Sequence, residues 1–473
     1  MNYDLMRCLS RIPTIIAACS LLGFAVQAHA QAKDWVVTGT IVTPDQVVQN
    51  GALTISGQRI AAVGDSAALP KNAAVIRLDG IVLPGLVDLH NHITWNVHPR
   101  WDPNQKFANR YEWQNTAEYD RVLNGPHYAM GSALCEAQIF GEVKALVGGA
   151  TSVVGSLSPD PSACSKGLVR NLDVNSGLGF TALKPEDPCQ KPGKKLQAMA
   201  DFIIGDTFPL EVDYERMDFL RCSLASGALR SWVVHLSEGA TNDGSARKEF
   251  KMLASRGMLT PGTVIVHGTA LRPEDFKTMG EKKVGLVWSP RSNDELYGDS
   301  TNIGAALQHN VAVAIAPDWS PTGSAGMLQE MGYASRRYKT VSAPQLLAMA
   351  TSVPARLARL EERIGSLAPG LMADFIVIRG DKTNPHAAAV AATPADILLV
   401  VVGGQPMYGD AAVMAQLLPG ASLEALTVCG SKKSVFMGES AAAERKKSFA
   451  AIQHELTAVL ARQGAALAGF ECN

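Results

Sequence analysis

Three apolar runs of this chain finish in histidine and a fourth finishes in aspartate. Val82-Leu83-Pro84-Gly85-Leu86-Val87-Asp88-Leu89-His90-Asn91-His92 places two imidazoles two residues apart behind a Pro-Gly turn. In a strand, positions i and i+2 face the same side, so His90 and His92 project together where that strand ends. Trp232-Val233-Val234-His235 and Val264-Ile265-Val266-His267-Gly268 repeat the form, and Val313-Ala314-Ile315-Ala316-Pro317-Asp318 ends in a carboxylate. Neutral imidazoles with one carboxylate bind zinc or iron and leave a position for water, whose pKa the ion lowers towards ~7. A carboxylate must then carry a proton to a departing nitrogen, because an amine leaves poorly as an anion. Glu238 follows His235 in His235-Leu236-Ser237-Glu238-Gly239, just past a strand end and within reach of the same place. Singly, each of these is an ordinary buried polar group or a solvated helix-start glutamate. Their recurrence at successive strand ends points to one centre.

The elements that must bring them together alternate along the chain. Candidate strands are Gly85–His90, Thr151–Gly155, Gly179–Leu183, Phe202–Ile204, Ser231–Leu236, Thr263–His267, Val284–Trp288 and Val311–Ala316. Candidate helices between and after them include Ala133–Leu146, Lys194–Ala200, Tyr214–Ala225, Ser245–Arg256 and Ala343–Leu360. Repeated strand–helix alternation implies a parallel sheet, and about eight units favour an α/β fold of the (β/α)8, TIM-like barrel type, whose C-terminal strand ends meet at one mouth. An open doubly wound sheet is the alternative, but the first turn lacks a Gly-x-Gly-x-x-Gly run. Short strands at Trp35–Val42, Gly51–Ile55, Arg59–Gly64 and Ala74–Leu78 precede the alternation, and Ala373–Ile378 and Ile397–Val402 follow it. The two ends are expected to pair into one small β-sandwich. The expected organisation is a signal peptide at 1–30, sandwich parts at 31–84 and 363–412, the barrel at 85–362, and a helical extension at 413–473 with a helix over Ser440–Ala468. Ala387–Ala392 reads as a loop.

The 473 residues are 47% hydrophobic and 18% charged, with a net charge of −1, so a core can form and no basic excess exists to neutralise nucleic-acid phosphates. Arg7 and Arg11 precede the apolar stretch Ile12–Val26, too short for a comfortable membrane span, and Ala28-His29-Ala30 offers small residues for cleavage. Export to the periplasm or beyond follows, with no membrane span once the signal is removed; a lipoprotein anchor at Cys19 is the lesser alternative. Of 8 cysteines, those other than Cys8 and Cys19 are available for disulfides in an oxidising compartment. Cys429 with Cys472 and Cys164 with Cys189 are two pairings that the layout suggests.

With these residues the chain resembles the amidohydrolase superfamily, in its branch of mononuclear deaminases and triazine-type hydrolases. The resemblance rests on the Leu83–His92 run, His235 with Glu238, Val266-His267-Gly268, Ser289-Pro290-Arg291-Ser292-Asn293, Pro317-Asp318-Trp319 and Gly365–Asp374, in the family's order. It implies a metal-dependent hydrolase cleaving a carbon–nitrogen bond, by deamination or amide-type hydrolysis, of a small molecule, heterocycles among the candidates. His90, His92, His235 and Asp318 would hold one divalent ion, Zn2+ before Fe2+. Glu238 would shuttle protons, His267 would polarise the substrate or orient hydroxide, and Asp318 would also accept the water's proton. Similar enzymes are commonly homodimers. Where the family often has Gly-Thr-Asp or Gly-Ser-Asp, this chain has Ala316-Pro317-Asp318, which keeps the ligand and changes the backbone before it.

The pocket rests on weaker signals: Trp95, His98, Arg291, Asn293 and Trp319 are candidates for substrate contact, since indole faces suit planar rings. Tyr297 and Gly298 are candidates for a lid edge. Two other readings compete. One is a binuclear exported amidase or dipeptidase-like hydrolase with Lys184 carboxylated between two metals, although Lys184 follows the third candidate strand rather than the fourth. The other is an inactive barrel used for binding, which the complete set of candidate ligands argues against.

Overall fold

Val82, Leu83, Leu86 and Val87 are all fully buried because this one segment serves two sheets in turn. The computed structural model describes residues 34–43, 45–66, 74–155, 164, 167–174, 176–179, 189, 203–207, 212–438, 440 and 446–472. The first sheet takes β1 (Trp35–Val42), β2 (Val47–Ser56), β3 (Arg59–Asp65) and β4 (Ala74–Pro84) from one end of the chain. From the other end come β13 (Phe375–Ile378), β14 (Ile397–Val402), β15 (Gln405–Asp410), β16 (Leu423–Val428) and β17 (Ser431–Phe436). Their order is β16-β17-β15-β14-β13-β4-β1-β2-β3, nine strands in one mixed sheet. The β16–β17 hairpin departs from the expected helical extension at 413–473: Leu423–Val428 and Ser431–Phe436 pair antiparallel from Val428↔Ser431 to Leu423↔Phe436. The tail helix is shorter than expected, Phe449–Ala461.

β4 passes through Gly85 into the barrel. A side chain at Gly85 would fall 2.2 Å from Thr151 Oγ1, so only glycine lets the crossing strands approach this closely. The barrel strands are β5 (Leu86–Asp88), β6 (Ala150–Val153), β7 (Arg170–Asn171), β8 (Ile203–Thr207), β9 (Ser231–Leu236), β10 (Thr263–His267), β11 (Gly285–Trp288) and β12 (Val313–Ile315). They form a parallel three-stranded sheet β5-β6-β7 and a parallel five-stranded sheet β12-β11-β10-β9-β8. An isolated parallel bridge, Asn91↔Asp318, joins the chain just beyond β5 to the chain just beyond β12. These are the eight strands of the expected (β/α)8 architecture. The third is Arg170–Asn171 rather than Gly179–Leu183; Gly179 lies outside any strand, and 180–183 lie outside the described residues.

Barrel strands such as β9 and β10 are buried throughout, and their successive apolar residues alternate between two clusters with period two. Val87, Val233, Val264, Val266, Val287, Ala314 and Ala316 share one apolar cluster inside the barrel. Trp232, Val234, Leu236, Ile265, Leu286, Trp288 and Ile315 join another with helix residues such as Phe276 and Leu328. Capping fits the sequence: Asp213 and Asp243 each accept a backbone N–H at the start of helices Tyr214–Ser226 and Gly244–Ser255. Expected helix Ala343–Leu360 is broken into Ala343–Met349 and Ser352–Leu357, and Ala387–Ala392, expected as a loop, falls mostly within helix Pro385–Ala391. The expected helix Lys194–Ala200 and residues 1–33, including the expected signal peptide, lie outside the described residues. No helix among the described residues is long and apolar enough to cross a membrane.

Two devices lock the sheet domain and tail to the barrel. Arg170 on β7 makes a buried two-point ion pair with Asp374, at 2.7 and 3.0 Å. Cys429 and Cys472 form a disulfide as expected, while Cys164 pairs with Cys135 and Cys189 with Cys222, not with each other. The tail so tethered donates Ala468 N–H to Val97 O at 2.7 Å and stacks Phe470 against Phe140. Val97 ends the short helix that follows His92, so the tail supports the back of that loop. Cys472→Ser is expected to cost about 2–4 kcal/mol of unfolding free energy. Urea denaturation of the purified protein measures it, and an unchanged midpoint would contradict that value.

Candidate metal and active centre

The strand ends converge as the spacing predicts, but not by simple alternation. Val264 and Val266 face the barrel interior, so His267 in a regular strand would face outward. Its backbone is left-handed (φ 66°), as is that of Asp318 (φ 67°) and Ser237 (φ 54°). Such conformations are uncommon away from glycine and cost of order 1–3 kcal/mol each, which the surrounding packing must over-determine. At Asp318 the packing is visible: its N–H donates to His90 O at 3.2 Å, and its carbonyl accepts from His92 N–H at 3.0 Å. On the other side, Gly155 (φ 114°) passes so close that a Cβ there would lie 1.6 Å from Asn91 O.

The side chains meet in a small space. His90 Nε2 is 3.0 Å and His92 Nε2 3.3 Å from Asp318 Oδ1. The His90 ring centroid lies 4.5 Å from that of His235, 5.0 Å from His92 and 5.2 Å from His267. One donor atom from each of His90, His92 and His235 can lie within 4.8 Å of the others, and the same holds for His90, His267 and Asp318 and for His235, Glu238 and His267. Apart from the half-buried His92, all these side chains are buried. Burial pushes His90 below its ordinary value, favouring the neutral imidazole that a cation needs. Burial alone would raise Asp318, but His90 and His92 facing it hold its carboxyl well below the usual range. Three imidazoles and an ionised carboxylate around one point suit a divalent ion of the zinc or iron type, so the donor set fits the expected group.

Behind these donors the polar groups are organised in layers. Ser292 Oγ donates to Asp318 Oδ2 at 2.6 Å. His267 Nδ1–H donates to Asn293 Oδ1 at 2.9 Å, while the Asn293 amide donates to Ser300 and Thr301, which sets this tautomer. His267 therefore presents Nε2 to the cavity as an acceptor when neutral and as a donor once protonated. Glu238 Oε1 accepts the Tyr297 hydroxyl at 2.6 Å, and Oε2 lies 3.7 Å from His267 Nε2 and 3.9 Å from Arg110 Nη1. Arg110 is itself held by Glu249 at 2.6 Å. Asp88, buried below the pair of histidines, accepts His90 N–H and the Asn91 amide.

A cavity of about 260 Å3 opens on this set, lined by His92, His235, Glu238, His267 and Asp318 on its floor. Its walls are Trp95, Trp113, Gln114, Tyr119, Tyr128 and Trp319. Trp95 and Trp319, two of the candidates for substrate contact, both line it. His98 does not: it is fully buried behind the wall, and neither ring nitrogen meets a hydrogen-bond partner among the described residues. Arg291 also misses the cavity; its side chain lies by the Tyr333 ring and its N–H donates to Glu330. Asn293 acts through His267 instead of forming a wall. Lys184 lies outside the described residues. Trp113, Gln114, Tyr119 and Tyr128 were not foreseen, although they belong to the long β5–β6 connection, whose density of aromatics was the available signal.

Buried neutral histidines carry a pH cost. Burial lowers His98 to about 4 and His127, stacked 3.7 Å from Trp95, to about 3. Their contribution to stability is present above pH 6.5 and is lost as pH falls, because only the unfolded chain then takes the protons. Burial raises Glu330 to about 7, which acts in the opposite sense, so a difference measurement is needed. Relative to the parent, His98→Leu should gain about 1.4 kcal/mol per pH unit between pH 6.5 and 4.5. Denaturation curves at several pH values test this, and a pH-independent difference would refute it.

Residues 230–407 match the amidohydrolase family. The chain carries an amidohydrolase-family domain. Among its relatives is the 5-methylthioadenosine/S-adenosylhomocysteine deaminase of Symbiobacterium thermophilum, 24% identical over 423 residues, covering 79% of this chain and 93% of the relative. Solved structures of similar fold include an adenosine deaminase from Xanthomonas campestris with bound zinc (TM-score 0.60, 18% identity, 81% of this chain and 97% of that one). The guanine deaminase of E. coli is another (TM-score 0.59, 19% identity, 79% and 99%). The amidohydrolase match begins at β9 and ends in β15, so it contains His235, Glu238, His267 and Asp318, while His90 and His92 lie before it.

Proposed function

We propose that this amidohydrolase deaminates a small, flat nitrogen heterocycle, replacing an exocyclic amine by oxygen from water. The observation that carries the reading is the placement of Glu238, 3.7 Å from His267, on the floor of an aromatic-walled cavity it shares with His92, His235 and Asp318. The domain makes the chain a hydrolase of carbon–nitrogen bonds other than peptide bonds. A zinc ion held by His90, His92, His235 and Asp318 would supply an acidified water. Asp318, kept ionised, takes one proton from the attacking water and returns it to the ring product, and Glu238 takes the other. Glu238 carries a proton to the departing nitrogen, so that it leaves as neutral ammonia. His267 holds the oxygen newly bonded to carbon. Trp95, Trp113 and Trp319 offer indole faces and edges to a planar ring, and exclude water from the reaction.

Two features support the reading of an exported enzyme. The sequence offers Arg7 and Arg11 ahead of the apolar stretch Ile12–Val26. Three disulfides, joining Cys135–Cys164, Cys189–Cys222 and Cys429–Cys472, suit an oxidising compartment. The test is ammonia release from adenosine, 5′-methylthioadenosine, guanine and melamine by purified protein, with elemental analysis of the same sample. Zinc near one ion per chain and ammonia from at least one amine are expected. Hydrolysis of amides or carbamates with no ammonia from any of the four would overturn deamination.

A further inference from the structure

The helix Pro290–Tyr297 touches each proton-handling side chain of the centre. Ser292 bonds Asp318 and Asn293 bonds His267. Four residues after Asn293, and so on the same helical face, Tyr297 donates to Glu238 Oε1 at 2.6 Å. The Tyr297 oxygen in turn accepts Trp113 Nε1–H at 2.9 Å, and Trp113 is a wall of the cavity. Tyr297 and Glu238 are both buried, so no bulk solvent competes for this bond. Its two oxygens therefore differ: Oε1 is anchored, whereas Oε2 faces His267 Nε2 at 3.7 Å, with Arg110 3.9 Å away.

We propose that Tyr297 is a positioning residue that fixes Glu238 so that Oε2 alone transfers the proton, and that it ties the carboxylate, through Oε1, to the Trp113 wall against which the substrate lies. The inference rests on the reading of Glu238 as proton carrier. In the step it serves, the water oxygen bonds to the ring carbon and the carbon–nitrogen bond breaks. One water proton passes through Oε2 to the nitrogen, which leaves as ammonia with its bonding pair. A carboxylate free to rotate about its terminal bond would present either oxygen, and the leaving nitrogen would meet the proton in only part of its orientations. Burial and the facing Glu238 raise the Tyr297 phenol well above its ordinary value, so it remains a donor.

The experiment compares the amine of the panel that the parent turns over fastest with the same ring bearing chloride in place of that amine. Chloride needs no proton to leave. In Tyr297→Phe, kcat for the amine should fall about 10- to 100-fold, with KM within about threefold. The chloride should lose less than about a third of that factor, since only proton delivery to the leaving group has been disturbed. Metal content, read on the same samples, should match the parent, and the thermal midpoint should fall by no more than the few degrees expected for one lost buried hydrogen-bonding group. Trp113→Phe, which keeps a ring in the wall and removes the donor to Tyr297, should likewise lower kcat more for the amine than for the chloride. Equal losses on amine and chloride in both variants, or a change confined to KM, would overturn the proposal. Glu238→Gln separates the two readings: normal amine turnover there removes Glu238 from the mechanism, whereas its loss beside an unaffected Tyr297→Phe removes only Tyr297.

Discussion

Asp318→Ala should release the metal and abolish turnover. Its carboxylate stands 3.0 Å from His90 Nε2 and 3.3 Å from His92 Nε2, and it accepts Ser292 Oγ–H at 2.6 Å. Without it, the centre loses its anionic donor and the group placed to take the water's proton. Loss of activity by ~10²–10³-fold or more is expected from the second effect alone. Elemental analysis after dialysis should find well under one ion per chain, and His235→Ala should behave the same way. Full metal content in both variants would contradict the ligand set. The left-handed backbone at Asp318 offers a control, because alanine accepts that conformation less readily than aspartate. Asp318→Asn keeps the shape and the local preference while removing the charge, so metal loss there isolates the electrostatic part.

The second large effect is expected at Glu238. Glu238→Gln retains an oxygen to accept the Tyr297 hydroxyl and fills the same volume. Metal content should stay at the parental level, while kcat for the amine falls by roughly 10²–10⁴-fold, the span that positioned proton transfer contributes. A fall in kcat with little change in KM would show that the interaction lost belongs to the transition state. Near-parental turnover would assign the proton to another group, and His267, 3.7 Å away, is the one within reach.

What the sequence made legible was what regular backbone makes periodic. Buried runs such as Trp232–His235 and Val264–His267 occur as β9 and β10, and four of the strand ends bring their polar residues to one mouth. What it concealed depends on departures from regularity. His267 reaches the cavity only through a left-handed residue, and no period-two reading foretells that. The third strand is two residues long, Arg170–Asn171, with no apolar run to announce it, and its Arg170 is spent on an ion pair with Asp374. His98 looks like a binding residue in Trp95-Asn96-Val97-His98, but the short helix Ile93–Val97 turns it away from Trp95's cavity side into the interior. Arg291, adjacent to two functional neighbours, is carried by its helix towards Tyr333. Sequence distance says which residues are near the centre and leaves their direction to the local turn.

The walls and the floor of the cavity have separate origins in the chain. Floor residues come from β9, β10 and the ends of β5 and β12, whereas five of the six wall residues, Trp95, Trp113, Gln114, Tyr119 and Tyr128, belong to the single connection between β5 and β6. Exchange of wall residues in this one stretch would change what the cavity admits while the metal donors stay in place, as long as Trp113 and Arg110, which reach Glu238 and its anchor, are kept. Selectivity and reactivity thus sit on different stretches of polypeptide, and a change confined to one loop alters the first far more than the second.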